Sequence, residues 1–328
     1  MNKLVQLLVL LLVLQVALIV GLNVTRTDLS VVSDQSLLIS GATGGADLLT
    51  IDGPDGATVI LRKREATWII PEDGDFPADQ EKVETFLSRI RELERGMPVG
   101  TTPAALSRFR VTESNFERRI TLAAKGEVLA VFFLGTSPRA RMTYARSRDD
   151  TSVYEVQLAA YDAPASSEDW QDEMAVEIPY PNIITVEVPG LIKLVRNRRP
   201  DADQDTGNST QLGDKVWDSQ DLDPDEKIHQ QSADALARKI SALRIIDVLG
   251  REVRPGFGLN PPELTVMVET TSHNKVTYEI GPIKGEKDYV FKASTRPEYF
   301  RLPDYLAKSL LKAAHRDSIV RKIKDTTD

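Results

Sequence analysis

The chain has no cysteine. That removes thiolate nucleophiles, disulfides, iron–sulfur clusters and cysteine-held zinc, and with them the acyl-cysteine that tethers a lipoprotein. Histidine is almost as scarce. His229, His273 and His315 are the whole supply, and none stands in H-E-x-x-H spacing; each reads as a surface histidine rather than a metal ligand. Basic excess is missing too. The 41 basic and 49 acidic side chains leave a formal charge of −8. Counterion release from a phosphate backbone needs a cationic surface, so nucleic acid is excluded as the main partner. There is no P-loop, no G-x-S-x-G elbow and no G-x-G-x-x-G. Ser309-Leu-Leu-Lys312 matches S-x-x-K, but it lies in a terminal helical stretch without the companion S-D-N and K-T-G. Catalytic residues and cofactor-binding residues are therefore assigned to none.

What is present begins with Leu4–Leu22, LVQLLVLLLVLQVALIVGL. The run carries no charge, and at ~1.5 Å per residue it makes a helix of ~28 Å, near the ~30 Å of a bilayer core. It is read as an uncleaved transmembrane anchor over residues 1–22. The alternative is a cleaved signal peptide, whose apolar core is shorter, usually ~7–15 residues. Lys3 precedes the run, so the expected topology puts the N-terminus in the cytoplasm and the bulk of the chain outside the cytoplasmic membrane. Residues 23–46 read as a glycine-rich stalk.

Beyond the stalk one pattern occurs twice. Asp47–Gly53 and Ala57–Arg62, then Trp68, read as a β-hairpin closed by a tryptophan; Asn182–Val188 and Leu191–Arg196, then Trp217, read the same way. Each tryptophan is expected as a core plug over its hairpin rather than a ligand platform. Val83, Phe86, Leu87, Ile90 and Leu93 form a helical stripe, and Ala233, Leu236, Ala237, Ile240 and Leu243 repeat it at an offset of 150. Short alternating strands follow in both copies. The strand ends Leu134-Gly135 and Ile280-Gly281 correspond, and Tyr144 is matched with Tyr289.

The expected fold class is α+β: an N-terminal transmembrane helix, then two tandem repeats of β-hairpin, helix and antiparallel meander. The repeats are placed at residues 47–161 and 182–302. A linker at residues 162–181 contains Trp170, and a basic amphipathic C-terminal helix fills residues 303–328. An insertion, Asn197–Asp214, interrupts the second copy and reads as a mobile loop. Within it Asp201, Asp203 and Asp205 resemble the start of a calcium loop. Gly207 falls one place late, and Leu212 stands where the bidentate acid belongs, so a solvated acidic loop is the better reading and no metal is assigned.

Val59-Ile-Leu-Arg62, Trp68, Ala78-Asp79, Val83, Phe86-Leu87, Leu93, Leu134-Gly135, Tyr144-Ala-Arg146 and Val153-Tyr-Glu-Val156 follow in an order that resembles the bacterial family called domain of unknown function 4340. Phe257-Gly-Leu-Asn-Pro-Pro262 and Asp169-Trp170-Gln-Asp172 add to the likeness, which covers most of Asp47–Leu311. The resemblance implies a single N-terminal membrane helix and an accessory role beside ABC-type permeases and ATPases related to gliding-motility systems. It brings no catalytic residues. The expected function is a membrane-anchored, non-enzymatic interaction module, an accessory subunit of an ABC-transporter-like envelope complex. A binding module for envelope glycan, lipid or a small ligand is the alternative, with an envelope hydrolase behind it.

Overall fold

The structure is a computed structural model that describes residues 36–39, 45–198 and 215–323, together with residue 15. In chain order it contains β1 (Ser36–Leu37), β2 (Leu48–Asp52), β3 (Thr58–Arg64), β4 (Thr67–Ile70), β5 (Phe76–Pro77), helix α1 (Gln80–Arg91), β6 (Glu94–Arg95), helix α2 (Pro103–Phe109), β7 (Arg118–Ala124), β8 (Glu127–Leu134), β9 (Thr143–Ser147) and β10 (Tyr154–Val156). There follow β11 (Ile183–Val188), β12 (Ile192–Arg198), β13 (Lys215–Asp218), β14 (Glu226–Ile228), helix α3 (Gln230–Ser241), β15 (Asp247–Gly250), β16 (Leu264–Thr270), β17 (Lys275–Pro282), β18 (Tyr289–Ala293), β19 (Tyr299–Leu302), helix α4 (Asp304–Ala313), helix α5 (Arg316–Ile319) and β20 (Val320–Lys322).

The chain divides into two compact units. Residues up to 58 and 85–165 make the first; residues 59–84 and 166 onward make the second. Residues 59–84, expected inside the first repeat, thus group with the second. In the first unit β2 pairs with β7, and β7 to β10 run on as an antiparallel meander. In the second unit β11 pairs with β16, and β16 to β19 repeat that meander. There β12 and β13 extend the sheet to one edge and β15 closes the other. β3 pairs with β4 and β4 with β5, both antiparallel.

Alternation explains the second sheet. β16 reads LTVMVET with every other residue buried, beginning at Leu264, as period-two side-chain placement requires. Its buried face meets Ala233, Leu236, Ala237 and Ile240 of α3 in one core with Tyr278, Phe291 and Phe300. In α1, Val83, Phe86, Leu87 and Ile90 are buried likewise.

The expected fold class is corrected at its first element. No helix among the described residues is long and apolar enough to cross a membrane. α1 and α3 have 12 residues each, about 18 Å of rise against a hydrocarbon core of about 30 Å. What is described is a sheet-rich fold, and the single-pass membrane reading is not carried by it. Apart from Gln15, Leu4–Leu22 lies outside the described residues, as does the topology deduced from it.

Three local expectations also change. The single C-terminal helix is broken: α4 caps at Ala314, His315 is extended (φ −69°, ψ 135°), and the chain returns as α5 and β20 to pair with β14. Its cations are held by acids, Lys308 by Asp304 and Arg316 by Glu226. The stretch Phe109–Val111, whose apolar–polar–apolar alternation reads as a strand, instead holds the end of α2 at Phe109 and its cap at Arg110. Thr102 caps that helix by accepting the Ala105 amide, and Pro103 fills its first turn. The insertion is shorter than expected, because β12 runs on to Arg198; Asp201, Asp203 and Asp205 lie outside the described residues.

Candidate functional site

The polar residues that the fold repeats gather around two tryptophans. In the β3–β4 ladder Lys63 lies across from Trp68. Its ammonium sits 5.5 Å from the ring centroid and donates to Glu84 of α1 at 3.0 Å. The indole N–H donates to the same Glu84 oxygen at 2.9 Å. In the β12–β13 ladder Arg196 takes the place of Lys63, across from Trp217, with its guanidinium 4.6 Å from the ring. Asp234 of α3 takes the place of Glu84, 3.5 Å from Arg196. Both tryptophans are buried.

A glutamine completes each constellation. The Gln80 side chain accepts the Trp68 amide at 2.7 Å and donates back to the Trp68 carbonyl at 2.9 Å. Gln230 does the same for Trp217, at 2.8 and 2.7 Å. A carboxamide carries one acceptor and an N–H in the plane of a peptide group, so it stands in for one rung of a neighbouring strand. Replacing Gln230 by alanine should lower stability by about 1–2 kcal/mol, two bonds lost at a partly buried position. Glutamate at 230 would keep the acceptor and lose the donor, and should recover only part of that. A urea midpoint unchanged by the alanine would show that the clamp contributes nothing.

The second constellation is more elaborate. Two guanidiniums stack on the Tyr180 ring, Arg196 at 4.2 Å and Arg238 at 4.0 Å, and its hydroxyl donates to Asp234. Arg238 also donates to Asp234 at 2.7 Å. Burial pushes the Asp234 carboxyl up, but the Tyr180 hydroxyl and the two guanidiniums outweigh it and hold the group below its ordinary range. Burial and the hydrogen bond to Asp234 raise the Tyr180 phenol. Chemically this is a satisfied ion pair stacked on aromatic faces, with the carboxylate's acceptors in use.

The two glycines do a second job twice. A Cβ on Gly135 would lie 1.9 Å from the Phe109 carbonyl oxygen, and one on Gly281 would lie 1.8 Å from that of Gly258. Backbone passes backbone there, and only glycine admits it. The matched tyrosines part company. Tyr144 lies beside Gly135, whose amide donates to its carbonyl, whereas Gly281 stands across from Val290 and Tyr289 is one place along. Tyr144 packs with Phe109 and Phe133 on one face, and Tyr289 joins the main core of the second unit.

Two places beyond Tyr144 and Val290 stand Arg146 and Lys292. Arg146 donates to the carbonyls of Val111, Ser147, Arg148 and Asp150. Lys292 donates to those of Arg296 and Glu298. Burial lowers the pKa of both. Each cation pins the turn that follows its strand.

The third tryptophan, Trp170, is fully buried and marks a different cluster. Around it run Lys82, over its ring at 5.2 Å, and Gln171, which donates to Asp73 at 2.7 Å. Nearby Glu298, only 1% exposed, accepts from Arg251 at 2.9 Å and from Arg296 at 3.1 Å. The histidines stay apart: His229 meets Ser232, His273 meets Glu269 and His315 meets Asp317. Among the described residues no group of three or more His, Asp or Glu could hold a metal ion. Ser309 takes its hydrogen bond from Lys239 at 2.5 Å on the exposed face of α3 and α4, not from Lys312.

Comparison with known proteins bears on residues 68–262, which match the family described as Domain of unknown function (DUF4340). No curated protein and no solved structure matches the chain.

Proposed function

From the premise that this chain belongs to the DUF4340 family, we propose that it is a non-enzymatic interaction module, a subunit of an ABC-transporter-like envelope assembly. The observation that carries the reading is the twofold constellation. Lys63, Trp68, Gln80 and Glu84 recur as Arg196, Trp217, Gln230 and Asp234, and in both places they bond to one another and to a strand backbone. The recurring parts are those that hold strand backbones in place. Repeated polar groups that fix strand positions make a rigid scaffold, and a rigid scaffold is suited to presenting a preorganised surface to other proteins. The ABC-type partner is supported by the family likeness alone, an associational ground.

Crosslinking the full-length protein in envelopes of its own cells, followed by affinity purification and mass spectrometry, tests this. Recovery of an ABC permease together with its ATPase is the expected result. Recovery of the protein alone, carrying a glycan or lipid, would replace this reading with a ligand-binding one.

A further inference from the structure

We propose that an open cleft in the second unit takes a short, uncharged peptide segment in extended form, added as one further rung beside β17. The inference rests on the interaction-module reading and names the kind of partner such a module would engage. β18 covers only part of β17. Their pairing runs from Pro282 with Tyr289 to Tyr278 with Ala293. The Ser294 amide then donates to the Thr277 carbonyl at 2.8 Å, and the Thr277 amide donates to the Ser294 hydroxyl at 2.9 Å. There the covering chain leaves, because the Arg296 amide closes a turn on the Ala293 carbonyl at 3.1 Å.

Alternation fixes what is left open. Thr277 turns its amide and carbonyl toward Ser294, so Lys275, two places back on the strand, turns its own to the same edge. β16 runs along the other edge, with Glu269 across from Lys275. Among the described residues nothing bonds the Lys275 backbone on the β18 side. One donor and one acceptor therefore remain outside the ladder. A strand that adds to a sheet uses such a rung.

The cleft at this edge has a volume of about 450 Å³, within the ~300–1,000 Å³ of ligand clefts. Its far wall is fixed to the sheet at both ends. The Tyr278 hydroxyl donates to the Val176 carbonyl at 2.8 Å, and the Thr271 amide to that of Asn182 at 2.8 Å. Asn182, Ser272, Asn274 and Thr295 line the cleft with amides and hydroxyls, and Ile178 and Val276 with apolar surface. The side chains of Asn182 and Thr295 bond to no other described residue. Glu177 and Lys275 add one charge of each sign, so the described lining is neutral and suits an uncharged segment. A sugar fits less well. The one ring in that lining, Tyr278, is 1% exposed, which leaves no aromatic face to stack on.

Hydrogen exchange on the full-length protein, read at single amides by mass spectrometry, decides the matter. Without peptide the Lys275 amide should exchange freely, while those of Val276 and Tyr278, turned toward β16, stay protected. The probe is the capped tripeptide N-acetyl-Thr-Ala-Thr-N-methylamide. At ten times its dissociation constant it should slow the Lys275 amide about tenfold. The same peptide with every backbone nitrogen methylated has no donor for the rung and should leave the rate unchanged. Asn182→Ala and Thr295→Val alter only lining side chains, and each should raise the dissociation constant about fivefold, the loss of one hydrogen bond. A Lys275 amide as slow as that of Val276 would mean that the edge is covered. No slowing up to about 10 mM peptide, or equal slowing by the methylated one, would mean that the cleft takes no peptide. Slowing that needs no peptide and rises with protein concentration would assign the edge to a second copy of the chain. Each of these overturns the proposal and leaves the co-purification test of the assembly untouched.

Discussion

Replacing Gly281 by alanine should cost the second unit about 3 kcal/mol, at the upper end for overpacking, because the new methyl meets main chain rather than a yielding side chain. The Cβ would lie 1.8 Å from the Gly258 carbonyl oxygen and 2.4 Å from its carbonyl carbon. The Gly258 segment cannot retreat freely, since its own amide donates to the Pro282 carbonyl at 2.9 Å. Gly96→Ala is the control: nothing lies within 4 Å of its Cβ position, and it should fall within about 0.5 kcal/mol of the parent. Urea melts of the two variants separate the cases. Equal midpoints for Gly281→Ala and Gly96→Ala would mean that the two backbones do not approach as described.

Trp217→Ala should be costlier still, about 4 kcal/mol, within the range for truncating a buried tryptophan. The loss is not only area. Arg196 has 3% of its side chain exposed and stacks on this ring. Without the ring its guanidinium faces a void, held by Asp234 and the carbonyls of Tyr180 and Ile183. Trp217→Phe keeps an aromatic face for the cation and should recover more than half of the cost. A loss below about 1 kcal/mol for the alanine variant would show that Arg196 and its partners close the gap unaided.

Much of the strand pattern is legible in the chain. The stretches Arg119–Leu122, Glu127–Leu134, Leu264–Val268 and Lys275–Ile280 fall on β7, β8, β16 and β17, because each has one buried face and a clear period of two. The helical stripes 150 residues apart point to the constellation as well. Adding 150 to Gln80 and Glu84 gives Gln230 and Asp234. A reading confined to apolar positions passes over them, since the period reports what is buried and not what is bonded. Tyr144 and Tyr289 fail for a related reason: a slip of one residue moves a side chain to the other face of a sheet, and similarity of type conceals it. α2 carried a signal that composition alone hides, Thr-Pro followed by Ala-Ala-Leu, a cap and a first-turn proline. The break at His315 carried none, because what ends the terminal helix is the pairing of β20 with β14, a contact 90 or more residues away in sequence.

The glutamine rung of β13 has a consequence beyond stability. Among the described residues β13 is the last strand of its sheet, and a bare sheet edge is a template on which other chains can stack without limit. Natural sheets usually blunt such an edge with a charge, a proline or a covering helix. Here the groups of Trp217 that would recruit a stranger are already occupied by the side chain of Gln230. Gln230 thus occupies one rung of that edge, and its replacement should first be noticed as fibrils or precipitate in concentrated samples, before any change in the fold of the isolated molecule.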